Sequence, residues 1–220
     1  MTLVIAVDGP AGSGKSSAAK GAARTLGLRY LDTGAMYRAM TWWMLHTGVP
    51  VDDPAAVADA AARPAIEVGT DPDAPTISVD GADVSAPIRT REVSNAVSAV
   101  ASVPEVRRRM VALQRDIIRA GGIVAEGRDI GTIVAPDADL KVFLTASDRV
   151  RAQRRAKDLL ADPAATVDIT LAEQARRDRL DSTRKTSPLA KAADAVEIDS
   201  TTLTLDDVID MIVRLAKERQ

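Results

Sequence analysis

Residues 3–20, LVIAVDGPAGSGKSSAAK, constrain the fold more than any other stretch of this chain. Leu3, Val4, Ile5, Ala6 and Val7 form an almost wholly apolar run that stops at Asp8. Such a run suits a strand covered on both faces, as inside a parallel sheet. Gly9-Pro10-Ala11-Gly12-Ser13-Gly14-Lys15-Ser16 then fills every fixed position of GxxxxGKS/T, and a small-residue helical run opens behind it at Ser17. The spacing has a mechanical reason. Glycines let the backbone curl until successive N–H groups point into one hollow, and the following helix adds the positive end of its dipole. Lys15 then reaches the β- and γ-phosphates of a nucleoside triphosphate, while the Ser16 hydroxyl takes a place on Mg2+. A plain strand-to-helix connection needs fewer glycines. The stretch reads as a phosphate cradle.

The 220 residues suffice for one large domain or a core with insertions. Aromatic residues make up 2%, so an aliphatic, alanine-rich core is expected. A net charge of −2 argues against general affinity for nucleic acid. The lack of cysteine excludes disulfides and thiolate metal sites and is compatible with a reducing compartment. No basic, apolar-cored leader precedes the first strand, and no apolar run has the length to span a bilayer. The expectation is a soluble cytoplasmic protein without membrane contact. With no spare apolar helix face evident, it is expected to be a monomer.

Behind the cradle, residues 17–26 read as a helix closed by Gly27, and Arg29-Tyr30-Leu31 as a second strand. Asp32-Thr33-Gly34-Ala35-Met36-Tyr37-Arg38 leads into a helix reaching about His46. Asp32 or Thr33 caps it, and Arg38, about a turn inside, faces the cradle's mouth. His46, the lone histidine, reads as a dipole-favoured helix end rather than a catalyst. Ile66-Glu67-Val68, residues 76–79 and Asp83-Val84 are short segments split by turn residues, which places an antiparallel ribbon at about 62–90. Residues 90–119 carry the three- and four-residue apolar steps of helices, interrupted at Pro104. Ile123-Val124-Ala125 and residues 140–144 read as further buried strands, the first followed by a Glu126-Gly127-Arg128-Asp129 loop. Loops past the carboxyl ends of such strands are where open α/β sheets bind ligands.

Ser147-Asp148 caps a basic helix holding Arg149, Arg151, Arg154, Arg155 and Lys157. A second charged helix, about 170–180, holds Arg176, Arg177 and Arg179, with Asp181, Arg184 and Lys185 behind it. Such a hairpin is either a solvated face or a mobile lid whose arginines fold over phosphates. Its positive excess within an acidic chain favours the lid. Residues 195–199 read as a last strand and 203–215 as a closing helix. The fold class is therefore α/β. It comprises a three-layer P-loop NTPase core around a parallel sheet (about 1–61, 91–150 and 186–220), the ribbon insert, and a helical lid at about 151–185.

A cradle alone does not separate kinases, GTPases and motor ATPases. The only asparagine, Asn95, is followed by alanine, so no Asn-Lys-x-Asp guanine reader exists, and no apolar run ends in paired acids of the ATPase kind. Arginines instead recur around the expected cleft: Arg38, Arg107, Arg128, Arg154, Arg177 and Arg184. Transfer to a phosphate gathers several anionic groups and demands such an enclosure, but no strong base, since a phosphate oxygen is already a nucleophile. Kinases of UMP, AMP or a shikimate-like alcohol, and an RNA-binding module gated by ATP, remain alternatives at this point.

The chain resembles bacterial cytidylate (CMP/dCMP) kinases over essentially its whole length. The likeness rests on GPAGSGKS (9–16), LDTGAMYR (31–38), GADVSAPIRTREVSNAVS (81–98), EGRDIGT (126–132), RRDRLDSTR (176–184) and AADAVEIDSTTL (192–203). The ribbon stretch is the mark of the cytidylate branch; related monophosphate kinases share only the cradle. The resemblance implies a monophosphate-binding insert and MgATP as phosphoryl donor to CMP or dCMP. It implies that Ser98, Arg107 and Asp129 read cytosine and that Asp181 holds the sugar hydroxyl. Arg38, Arg128, Arg177 and Arg184 would grip the acceptor phosphate and the transferring group, with Arg154 on the triphosphate side beside Gly9–Ser17. Thr33 stands where many members have serine; its hydroxyl is expected to serve phosphate or sugar.

Overall fold

The computed structural model describes residues 2–158, 166–184 and 186–219. Part of the expected lid, residues 159–165 and Lys185, lies outside them. The chain opens with β1 (Val4–Asp8), α1 (Lys15–Leu26), β2 (Arg29–Asp32), α2 (Thr33–His46) and α3 (Pro54–Ala60). A ribbon of β3 (Ile66–Val68), β4 (Ile77–Val79) and β5 (Ala82–Asp83) follows, then α4 (Arg91–Ser102) and α5 (Pro104–Ile118). The remainder runs β6 (Ile123–Gly127), β7 (Leu140–Thr145), α6 (Asp148–Asp158), α7 (Val167–Thr183), β8 (Val196–Asp199) and α8 (Leu205–Lys217).

Among the described residues the main sheet is parallel, in the order β2-β6-β1-β7-β8. Its register follows from two-sided burial. Ile5 and Val7 pack with α1 and α8, whereas Ala6, Ile123 and Ala125 pack into the cluster built by α2, α4 and α5. A one-residue slip would exchange these faces. The same register sets Asp32 beside Glu126, and Asp8 beside Gly127, at the carboxyl edge. Chemistry-bearing residues from separate strands are thus collected where a ligand can reach them.

The second sheet is antiparallel, β3-β4-β5, and buries Ile77 and Val79 against the α2 side of the core. α4 and α5 are separate helices because Pro104 has no N–H to continue α4 and holds Val103 extended (φ −74°, ψ 124°). Among the described residues no helix is long and apolar enough to cross a membrane.

Candidate active site

α1 begins on Gly14, which is left-handed (φ 90°) and offers no side-chain cap. The leading N–H groups of the helix are therefore left for a ligand. Lys15 Nζ donates to Pro10 O at 2.8 Å, closing the loop on itself. Burial drives the Lys15 ammonium down to about 7, and Arg128 pushes the same way against the attraction of Glu126 and Asp8. Gly9 has to be glycine here: a Cβ on it would fall 2.0 Å from Leu144 O in β7. Asp8 accepts from the N–H groups of Ile130 (2.9 Å) and Gly131 (2.7 Å), tying β1 to the π-helical turn Ile130–Val134. Burial raises its carboxyl to about 6.

Asp32 caps α2 by accepting from Ala35 N at 2.7 Å and also pairs with Arg38 at 3.2 Å. Thr33, the other candidate cap, donates its hydroxyl to Glu126 O at 2.6 Å. Glu126 belongs to β6 rather than to a following loop. Its buried carboxylate accepts from Tyr30 Oη at 2.7 Å. Burial raises its pKa, and Asp32 adds to this against the pull of Lys15. The sequence pattern assigns Glu126 no role, since no paired acids end its strand. The available signal was a single acid ending an apolar strand.

Ser98, Arg107 and Asp129 are brought together from α4, α5 and the turn after β6. Arg107 is fully buried and pairs with Asp129 at 2.5 Å. It also donates to Ala101 O (3.4 Å), and its guanidinium lies 5.1 Å from the centre of the Tyr37 ring. Ser98 Oγ donates to Asp181 Oδ1 at 3.2 Å. Arg128 donates to Asp181 Oδ2 (2.9 Å) and to Gly9 O (2.6 Å), bridging α7 and the cradle. Arg184 reaches both Asp129 (3.9 Å) and Asp181 (3.7 Å), while Arg177 stands 4.0 Å from Asp181. Burial opposes ionisation of Asp181, but Arg128, Arg177 and Arg184 outweigh it and lower its pKa. Arg177 is itself driven down to about 9 by burial and by Arg128. Such crowding of guanidinium groups raises the affinity of the space for anions.

One cleft of about 830 Å3 is lined by Lys15, Ser16, Arg38, Ser98, Arg154 and Arg177 and continues to Arg107, Asp129, Asp181 and Arg184. Gly12, Ser13, Gly14 and Ser17 border it as well. Arg154, from α6, donates to Ser200 Oγ (2.9 Å), Ser200 O (2.7 Å) and Ser13 O (3.3 Å), so it leans on the cradle. His46 ends α2 and stacks on Trp42, with ring centres 4.9 Å apart.

The model of the cytidylate kinase family matches residues 5–218. The chain belongs to that family. Cytidylate kinases of similar sequence include that of Streptomyces griseus subsp. griseus, 58% identical over all of this chain and 94% of the relative. That of Mycobacterium avium is 50% identical over 99% of this chain and 96% of the relative. A crystal structure of an uncharacterized protein from Eubacterium ventriosum covers 99% of both chains with a TM-score of 0.54 and 13% identity, a likeness of fold alone. The cytidylate kinase match takes in core, ribbon and hairpin alike.

Proposed function

We propose that this chain transfers the γ-phosphoryl group of ATP in line to the phosphate of CMP or dCMP, giving CDP or dCDP. Relatives named cytidylate kinase at 50–58% identity support the acceptor class. The observation that carries the reading is the buried Arg107–Asp129 pair, near Ser98, in the cleft that also holds Lys15. Cytosine offers an exocyclic amino donor suited to Asp129, beside acceptors suited to Arg107 and Ser98. Uracil would set a carbonyl against Asp129, opposing two acceptors.

In this reading Asp181 takes the sugar hydroxyl, and Arg38, Arg128, Arg177 and Arg184 hold the acceptor phosphate and the group in flight. Lys15, the amides of residues 9–17 and Arg154 hold the triphosphate. These cations are in place before reaction, so they stabilise the dispersed charge of transfer without reorganising. The Ser16 hydroxyl and the buried Glu126 carboxylate at the cradle rim fit a Mg2+ that arrives on ATP. Among the described residues no group of three or more acids or histidines is placed to hold a metal unaided. When bound, Mg2+ neutralises charge on the β- and γ-phosphate oxygens. The ribbon (about 62–90) serves as monophosphate-binding insert and the α6–α7 hairpin (about 151–185) as lid, excluding water so that ATP is not hydrolysed. The reading includes a cytoplasmic monomer, and its lack of nucleic-acid partners is supported by the net charge of −2. A coupled ADP-release assay with MgATP against CMP, dCMP, UMP and AMP tests it. Turnover with CMP and dCMP is expected; CMP left untouched refutes it.

A further inference from the structure

The root of the α6–α7 hairpin is bonded to the phosphate loop by side chains given no part so far. Arg151 of α6 donates from one nitrogen to both Ala11 O (2.8 Å) and Asp178 Oδ2 (2.6 Å), and from another to Asp148 Oδ1 (2.7 Å). The other oxygen of Asp178 accepts from Ala11 N at 3.4 Å. Ala11 is thus bracketed, carbonyl and amide, by one ion pair. Gln174, one turn before Asp178 on α7, donates to Arg151 O at 3.3 Å. The fit extends to Gly12, where a Cβ would lie 2.6 Å from Gln174 Nε2 and 2.7 Å from Arg151 O. The lid root therefore presses on the cradle itself, not on its surroundings. The Arg151 and Asp178 side chains are only 7% and 17% exposed, so the pair is shielded from the screening that weakens surface ion pairs.

α7 divides into two stripes. Gln174 and Asp178 turn to α6 and the loop, while Arg177 and Asp181 turn to the acceptor side, where Arg177 lies 4.0 Å from Asp181. Arg154 lies about one turn beyond Arg151 on α6 and itself donates to Ser13 O of the loop at 3.3 Å. Whatever fixes Arg151 and Asp178 on Ala11 also sets where Arg154 points.

We infer that Arg151 and Asp178 are positioning residues: their bonds to Ala11 lock the lid root onto the phosphate loop and so aim Arg154 at the ATP phosphates. This rests on the activity proposed above. The test compares the full chain with Asp178→Asn, Arg151→Met and the double variant. Steady-state kinetics are run in ATP at saturating CMP, with calorimetry of CMP alone and of a non-hydrolysable ATP analogue. Each single change is expected to lower kcat/KM for ATP about tenfold or more, the size of a charge-assisted hydrogen bond. The double variant is expected to be no worse than the poorer single one, as coupled partners behave. Affinity for CMP alone should stay within about twofold of the starting chain, because the acceptor stripe is separate.

Fully additive losses, unchanged ATP kinetics, or CMP affinity falling in step with ATP affinity would each overturn the inference. The last pattern marks a general structural role, and thermal unfolding of every variant identifies it. Asp178→Asn keeps the side chain's size, which guards against a variant that cannot fold. If the unaltered chain leaves CMP untouched, the activity reading fails. Analogue affinity across the same variants then still decides whether the root is locked.

Discussion

Replacing Asp129 by asparagine separates its observed pairing with Arg107 from its proposed base-reading role. The Arg107 and Asp129 side chains are 2% and 6% exposed and meet at 2.5 Å. In Asp129→Asn the guanidinium stays charged and buried; the amide oxygen can still accept from it but carries no countercharge, and the other supports are the Ala101 carbonyl at 3.4 Å and the Tyr37 ring at 5.1 Å. Breaking a buried pair from one side costs about 3–5 kcal/mol. For a chain of this size that is a fall in Tm of about 6–20 °C. Asparagine also presents an amide donor where the carboxylate only accepts, so uracil's carbonyl no longer meets an acceptor. The CMP-over-UMP ratio of kcat/KM should drop about tenfold or more. Adding Arg107→Met removes the stranded charge, and most of the lost stability should return. Base preference should not return, since neither reader is restored. Scanning calorimetry gives the first quantity and the coupled assay the second. A Tm within about 2 °C of the starting chain for Asp129→Asn would refute the buried-pair energetics. Recovered CMP preference in the double variant would refute the base-reading role.

Lys15 stands near 7 in the free chain, and phosphates favour its charged form, so ATP binding near pH 8 should take up protons and weaken as pH rises. Calorimetry in buffers of different ionisation enthalpy reads the uptake, and Lys15→Met should abolish most of it. Asp8 has its folded pKa raised to about 6 from 3.8, so its burial is favourable while protonated and that contribution is lost as pH climbs from about 4 through 6. Asp8→Asn cannot ionise, and the difference between its denaturant-derived stability and that of the parent should move by about 3 kcal/mol at most over that range. Tyr30→Phe removes the hydroxyl that donates to Glu126 at 2.7 Å, leaving a buried carboxylate short of a partner. A loss of about 1–3 kcal/mol in urea unfolding is expected.

The parallel strands, the cradle and the ribbon were legible because each writes its environment into a local pattern. An unbroken apolar run such as 3–7 has few homes other than a sheet interior. Glu126 was not legible in the same way. Its neighbourhood is made by register, which sets Asp32 opposite it, and by the Tyr30 hydroxyl reaching across from β2. No residue close to it in sequence announces either contact. Ser98 shows the same limit from another direction: the partner of its hydroxyl, Asp181, lies 83 residues away.

α7 is the sharpest case. Helix periodicity works by detecting an apolar stripe, and this helix has none to detect, because its buried positions are Thr170, Gln174 and Asp181. The expected bounds, 170–180, accordingly fell short of the observed Val167–Thr183. What replaces an apolar face is a set of fixed partners for its two inward carboxylates: Arg151 and Ala11 for Asp178, Arg128 and Ser98 for Asp181. Thr170 Oγ1 and Gln174 Oε1 are buried without partners, but the charges are matched, so the helix cannot slide or rotate by a turn without stranding them. An apolar stripe would tolerate those shifts far more cheaply. Arg177, carried on this helix, gains a defined position from its being held this way, and the polarity that hid α7 from pattern reading is the same property that fixes its register over the cleft.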